Sequence, residues 1–115
     1  MTSKIEAQSF NALVYEIVKM IPCGRVTSYG AIAKAIGFPN YSRRVGTALA
    51  QCGEQDERIP AHRVLNSNGY LSGAANFSAP GQMQKLLEQE GIVVVKNKVR
   101  DFKFLFWNPI NEISI

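Results

Sequence analysis

The residues that could carry chemistry in this sequence surround its single histidine. His62 lies in the run IPAHRVLNSNG, next to Ala61 and Arg63. An imidazole can act as the base that activates a neighbouring thiol or hydroxyl as a nucleophile. The neighbouring position here is alanine, which has no nucleophilic atom and no proton to give. Group transfer through residue 61 is therefore excluded on chemical grounds.

Two cysteines, Cys23 and Cys52, remain as possible nucleophiles or metal ligands. Their spacing fits neither a disulfide scaffold nor the paired ligands of a zinc site, and only one histidine is present. We therefore expect two reduced, partly buried thiols, with no metal and no cofactor. Neither thiol lies beside His62 in the sequence.

Charge and composition restrict the class of protein. The chain has 115 residues, 46% of them hydrophobic, and 13 basic against 9 acidic residues give a net charge of +4. This predicts one domain, residues 1–115, whose charge permits nucleic-acid binding without requiring it. No apolar run reaches the ~18 residues of a membrane span, and the N-terminus does not resemble a signal peptide. We expect a cytoplasmic monomer with no membrane contact.

The basic residues are unevenly distributed. No acidic residue occurs between Glu16 and Glu54, and an acidic cluster then begins at Glu54. The acid-free stretch contains Arg25, Lys34, Arg43 and Arg44. One end of the molecule is therefore predicted to be electropositive.

Hydrophobic spacing predicts a mostly α domain. Apolar residues recur with helical period between Phe10 and Ile21, and Pro22 ends that helix. A short helix capped by Thr27 or Ser28 and ended by Gly37 is followed by another over residues 42–53. Two short helices after a supporting helix form a helix-turn-helix pattern.

The second half of the chain mixes turns, one helix and a β element. RVLNSNGYL reads as a short hairpin that turns at Asn66–Gly69. A helix capped by Ser78, with Pro80 in its first turn, should run to Gly91. The segment from Ile92 alternates as strands do, with a hairpin turn at Lys96–Lys98 and alternation continuing through residues 99–106. The predicted fold is a winged helix-turn-helix-like DNA-binding domain with a small β-hairpin near the C-terminus.

The second helix of the pair is unusual for a recognition helix. It starts with Arg43 and Arg44 and continues with Gly46, Thr47 and Ala48. Small residues let a helix approach the narrow minor groove, and an arginine can then occupy the space that a rotated base leaves. Tyr29, at the start of the preceding helix, could push on the backbone of that nucleotide. The same residues would equally suit a helix packed closely against another helix, and both interpretations remain open.

Four blocks in order resemble the DNA-binding domain of O6-alkylguanine-DNA alkyltransferases. They are IPCGRVTSYGAIAKAIGFPN, RRVGTAL, IPAHRVLNSNG and LLEQEG, and the resemblance covers roughly residues 8–92. We expect no counterpart of the N-terminal domain that many of these enzymes carry. In the family, a cysteine in the Pro-Cys-His-Arg block takes the alkyl group, activated by the histidine and a glutamate. Pro60, His62, Arg63 and Glu90 match this pattern, and Ala61 stands in place of the cysteine.

The chain more closely resembles the alkyltransferase-like proteins, which keep the fold without the cysteine. The resemblance implies a non-enzymatic protein that binds duplex DNA containing O6-alkylguanine and presents the complex to nucleotide excision repair proteins. It implies that Tyr29 rotates the damaged nucleotide and that Arg43 fills the gap. Ala61, where many such proteins have tryptophan, implies a roomier pocket. The implied lesion pocket consists of Pro60, Ala61, Arg63, Val64, Phe77 and Ser78.

Two alternatives follow from the same residues. One is an active alkyltransferase that uses Cys52 or Cys23, which would require an activating base within hydrogen-bond reach of the thiol. The other is a winged-helix regulator that recognises a DNA sequence. In that case His62 and Glu90 would serve packing alone.

Overall fold

The computed structural model of the chain describes residues 4–52 and 58–112. The predicted acidic cluster that begins at Glu54 lies outside these residues. Among the described residues, no helix is both long and apolar enough to span a membrane. The described residues contain six α-helices, which are α1 (Lys4–Lys19), α2 (Tyr29–Ile36), α3 (Ser42–Cys52), α4 (Gln82–Gln89), α5 (Phe102–Leu105) and α6 (Pro109–Glu112). The strands are β1 (Thr27–Ser28), β2 (Val64–Leu65), β3 (Val94–Val95) and β4 (Lys98–Val99).

Two hydrophobic clusters form the core, and β2 joins them. Val64 belongs to the cluster that packs α1, α2 and α3 together, whereas Leu65 belongs to the cluster under α4 and the terminal hairpin. Successive side chains of a strand point in opposite directions, so one short strand can serve both clusters. β2 pairs with β1 in parallel, with Thr27 opposite Val64. This pairing fixes the chain directly after the turn Ala61–Arg63, called here the histidine turn, against the start of α2.

The helix-turn-helix pair forms as the sequence predicts. The Ser28 hydroxyl accepts a hydrogen bond from the Ala31 amide at 3.1 Å and so caps α2. Gly37 ends α2 with a φ of 101°, a left-handed conformation that favours glycine. α3 then packs against both α1 and α2.

The predicted hairpin at residues 63–71 is only partly correct. The turn forms, with the Asn66 side chain accepting hydrogen bonds from the Asn68 and Tyr70 amides, both at 2.9 Å. However, Val64 and Leu65 pair with β1, and Tyr70 bridges to Lys98 of the terminal hairpin. Both apolar residues of β2 are completely buried, which requires neighbours on both of its faces.

α4 begins later than the sequence predicts. The helix starts at Gln82, because Gly81 has a left-handed φ of 76°, which is incompatible with a right-handed helix continuing through that residue from Pro80. Ser78 therefore does not cap α4. The helix ends at Gln89, and Glu90 is its C-cap.

The terminal hairpin is confirmed, but the strand pattern after it is wrong. β3 and β4 pair antiparallel, and the two turn residues Lys96 and Asn97 have φ values of 50° and 65°. Such values are typical of the tight turns that match the twist of a hairpin. Asp101, with a φ of 60°, then turns the chain into the short helix α5, so the apolar alternation of residues 102–106 does not mark a strand.

Candidate functional site

Tyr29 lies where the start of α2, α3 and the loop after β2 meet. Its ring passes the α-carbon of Gly46, where an added Cβ would stand 3.8 Å from the ring. Its hydroxyl shares a hydrogen bond with Ser72, and burial raises its pKa despite that bond. An added Cβ on Gly73 would lie only 2.6 Å from the Tyr29 hydroxyl, so the lack of a side chain at Gly73 is what allows the tyrosine this position.

A small pocket opens between Tyr29 and the histidine turn. Its volume is about 20 Å³, room for one water molecule and far too little for a base. The roomier pocket expected from Ala61 is therefore not open in this structure. The pocket is lined by Tyr29, Leu49, Ala61, Gly73, Asn76, Phe77 and Met83.

The tightness of this pocket gives a testable prediction about Gly73. Gly73→Ala should destabilise the fold by about 1 kcal/mol, because the new methyl group must displace the tyrosine ring. The backbone is not the obstacle, since the φ of Gly73 is −90°. Urea unfolding would measure the cost, and Tyr29→Phe in the same chain should remove most of it. An equal cost in both backgrounds would contradict the contact.

The three polar residues of the predicted site form one buried cluster. The short 3-10 turn Ala61–Arg63 directs His62 and Arg63 toward Glu90, at the end of α4. The His62 Nε2 lies 2.5 Å from Glu90 Oε2. The Arg63 Nε donates to both carboxylate oxygens at 3.0 Å, and the Arg63 Nη1 donates to the Ile21 carbonyl at 2.8 Å. The Gly24 amide completes the set with a 2.8 Å bond to Glu90 Oε1.

This cluster determines the ionisation of its members. Burial alone would raise the pKa of Glu90, but hydrogen bonds from Arg63, Gly24 and His62 hold that pKa at about 2. Burial lowers the pKa of His62 below its usual 6.5, and Glu90 only partly offsets this. His62 is therefore neutral at pH 7. With its Nε2–H donated to the carboxylate, its second ring nitrogen keeps a free electron pair in this protonation state.

The pH dependence of stability follows from these two pKa shifts. Below pH 6.5 the unfolded chain protonates its histidine more readily than the folded chain, so the free energy of unfolding should fall. It should fall again between pH 4.5 and about 2, by up to roughly 3 kcal/mol, as the unfolded Glu90 takes up a proton. Urea unfolding of wild type and Glu90→Gln from pH 8 to pH 2.5 would measure both steps. An equal acid-induced loss in the two proteins would contradict the Glu90 assignment.

The outward face of α3 differs in part from the predicted one. Arg43 and Thr47 are exposed, and the Thr47 hydroxyl donates to the Arg43 carbonyl at 3.1 Å. Gly46 is half-buried under Tyr29. The placement of Ala48 on this face is wrong, because Ala48 is 1% exposed and packs in the core. Helical periodicity explains the error, since Ala48 lies beside Val45 and Leu49 of the buried side.

Arg44 is held in place by aromatic rings. Its guanidinium carbon lies 4.7 Å from the centre of the Phe10 ring and 4.8 Å from that of Tyr41. Tyr41 in turn stacks on Phe38. Cation–π contacts on two rings fix the turn between α2 and α3 and leave Arg43 as the arginine that projects freely from the start of α3.

The structure brings together only part of the predicted lesion pocket. Ala61 and Phe77 line the pocket, as expected. Arg63 does not, because its guanidinium is bound to Glu90 and Ile21, and Val64 does not, because it is completely buried in β2. Pro60 and Ser78 are likewise not among the lining residues.

Sequence reasoning missed the other walls of the pocket. Leu49, Asn76 and Met83 line it, and Ser72 bonds to the tyrosine. Their residue types carry no chemical signal, and only the fold brings them together. Gly73 was a detectable sign, since glycine is common where the backbone must approach another group closely.

The cysteines do not form part of the histidine cluster. Cys23 is exposed, and Cys52 donates its Sγ hydrogen to the Leu49 carbonyl at 3.2 Å. Cys52 also lies near Tyr15, on the α1 side of α3. Burial is the main cause that raises the pKa of Tyr15, and Cys52 raises it further. Within residues 4–52 and 58–112, no group of three or more histidine, cysteine or acidic residues could hold a metal ion.

Comparison with known proteins agrees with this fold. The family model described as the 6-O-methylguanine DNA methyltransferase DNA-binding domain matches residues 9–92. The chain is 37% identical over 105 residues to alkyltransferase-like protein 1 of Schizosaccharomyces pombe, covering 87% of this chain and 95% of that protein. It is 39% identical over 103 residues to the DNA base-flipping protein of Vibrio parahaemolyticus, covering 87% and 97%.

A solved structure shows the same architecture. The S. pombe alkyltransferase-like protein in complex with damaged DNA containing O6-carboxymethylguanine superposes with a TM-score of 0.75 and 33% identity, covering 87% of this chain and 95% of that one. The protein therefore belongs to the 6-O-methylguanine DNA methyltransferase DNA-binding domain family. Within that family it is an alkyltransferase-like protein.

Proposed function

We propose that this protein binds duplex DNA containing O6-alkylguanine and rotates the damaged nucleotide toward Ala61 without transferring the alkyl group. One observation carries the proposal: the His62–Glu90–Arg63 cluster and Tyr29 surround position 61, and that position has no nucleophile. The S. pombe relative, whose solved complex contains O6-carboxymethylguanine, supports the same ligand.

The proposed mechanism assigns a step to α3, to Arg43 and to Tyr29. The small residues of α3 let the helix approach the minor groove, and Arg43 enters the stack where the nucleotide has left. Tyr29 must turn out of its contact with Gly73 to press on the DNA backbone, and that movement opens the 20 Å³ pocket between Ala61 and Phe77. Closure of the pocket by Tyr29 in this structure would keep undamaged, stacked DNA from being opened by chance.

A binding experiment tests recognition. Fluorescence anisotropy should show at least about tenfold tighter binding to a duplex with one O6-methylguanine than to the matched undamaged duplex, with both affinities falling as salt rises. Equal affinity for the two duplexes would contradict lesion recognition and would favour a general or sequence-specific DNA-binding protein.

The fate of the bound lesion is the finer part of the proposal. A protein that holds a lesion without repairing it stabilises a distorted duplex, which is the kind of structure that nucleotide excision repair detects. We propose that this monomeric, cytoplasmic protein hands the lesion to that system. Faster incision of a lesion plasmid by purified excision-repair proteins when this protein is present would support the proposal, and slower incision would show that binding shields the lesion.

The rival function, alkyl transfer through another cysteine, has less support. Cys52 lies on the α1 side of α3 near Tyr15, and Cys23 is exposed in the turn after α1. The hydrogen bond of the His62 ring is to Glu90, and the Cys52 thiol donates to the Leu49 carbonyl.

A further inference from the structure

A second, much larger concavity lies between α2 and the C-terminal segment. Its volume is about 1450 Å³, and Gly30, Ala31 and Lys34 of α2 form one wall. None of the residues that line the pocket beside Ala61 lines this groove. Small-molecule sites typically measure roughly 300–1,000 Å³, so the size of the groove suits an extended occupant.

Exposed apolar side chains form the floor of the groove. Val95 is 50% exposed, Ile110 is 53% exposed and Tyr70 is 41% exposed, which is unusual for clustered large side chains. Phe102 and Phe106 meet edge to face beside them, with ring centres 5.6 Å apart. Contiguous exposed apolar surface with a polar border commonly marks a site for another protein.

Positive charge forms the border. Among the described residues that line the groove, Asp101 is the one acidic residue, and it lies 4.0 Å from the guanidinium of Arg100. Four exposed cations form the border: Lys34, Lys98, Arg100 and Lys103. A net positive border around an apolar floor is complementary to an occupant that is acidic and carries apolar anchors.

The aromatic residues of the groove are poorly suited to stack with nucleic-acid bases. The Lys98 ammonium already lies over the Tyr70 ring, 5.4 Å from its centre. The Phe102 ring packs directly on Gly69, where an added Cβ would come within 2.9 Å of it. Single-stranded nucleic acids bind by stacking on free ring faces, and a duplex exposes few apolar groups that could cover Val95 and Ile110.

We propose that this groove is a docking site for a short peptide segment of another protein, with acidic residues on either side of one or two bulky apolar residues. The apolar side chains anchor in the floor, and the acidic residues pair with the border. Such a surface leaves the exposed face of α3 free for DNA. The proposal does not depend on lesion recognition, because the groove and the pocket share no lining residue.

Selection from a displayed library of random twelve-residue peptides tests the proposal, using the full chain without DNA. We expect the enriched peptides to carry net negative charge and at least one bulky apolar residue. A synthetic peptide of the enriched sequence should bind at least about tenfold more weakly to the Lys98→Glu, Lys103→Glu double variant and to Ile110→Ser. Lys85→Glu, an exposed lysine of α4 outside the groove, is the matched control and should bind as wild type does.

Several outcomes would overturn the proposal. These are the absence of enriched acidic and apolar peptides, enrichment of basic peptides, or peptides that bind the groove variants as tightly as wild type. A tenfold loss of affinity for a twelve-nucleotide oligothymidine in the double variant would assign the groove to nucleic acid instead. Because the peptide measurements contain no DNA, a negative result would overturn the docking proposal without bearing on lesion binding. A failure of lesion binding would likewise not bear on the docking proposal.

Discussion

Replacing Arg43 with alanine is expected to remove most of the preference for lesion DNA, with a loss of about ten- to a hundredfold in affinity for the damaged duplex. The arginine is the exposed cation at the start of α3, whereas its neighbour is held on aromatic rings. Extrusion of a nucleotide costs a few kcal/mol of stacking, and a side chain that refills the stack returns part of that energy. Affinity for undamaged DNA should fall much less.

Two further variants separate charge from shape at this position. Arg43→Lys keeps the positive charge but lacks the planar guanidinium that can stack between bases, so it should restore undamaged-DNA affinity without restoring the lesion preference. Lys85→Ala removes one exposed cation from α4 and should slightly and equally weaken the binding of both duplexes. An unchanged lesion preference in Arg43→Ala, measured by anisotropy on paired duplexes, would rule out the proposed role.

Replacing Glu90 with alanine is expected to cost about 3–5 kcal/mol of unfolding free energy, the largest stability effect at the site. The carboxylate is 10% exposed and neutralises Arg63, whose side chain is 17% exposed. Removing one partner of a buried ion pair leaves an uncompensated charge, which is far more costly than the pair itself is stabilising. Urea unfolding at pH 7 would measure the difference.

The same helix provides a matched control for Glu90. Glu88→Ala removes an exposed carboxylate that accepts a long hydrogen bond from Gln84 at 3.3 Å, and should change stability by less than about 0.5 kcal/mol. Glu90→Ala with no greater effect than Glu88→Ala would show that the cluster does not support the fold. A folded Glu90→Ala protein that still binds lesion DNA would show that the cluster now serves structure alone.

Local signals predicted the first half of the fold well. Ser28 and Gly37 are cap residues whose side-chain and backbone preferences fix the ends of α2 independently of the rest of the chain. The turn at Lys96–Asn97 was likewise predicted. By contrast, the parallel pairing of β1 with β2 joins residues that are far apart in sequence, and no local pattern indicates it.

The errors have specific physical causes. Gly81 interrupts the helical pattern of residues 78–91 because its left-handed φ turns the chain, and Asp101 does the same before α5. Ala48 looked like a surface residue because it is small, but small residues also occur where two helices pack closely. The family resemblance indicated that His62, Glu90 and Ala61 belong together, whereas the role of Arg63 as the partner of Glu90 required the three-dimensional arrangement.

The central claim is that the protein holds an alkylated base without reacting with it, and intact mass spectrometry tests it most directly. The protein would be incubated with excess duplex containing O6-methylguanine until binding is complete, and both protein and DNA would then be weighed. The account predicts an unchanged protein mass and an oligonucleotide that keeps its O6-methyl group. A protein heavier by one methyl group, with guanine restored in the DNA, would contradict it.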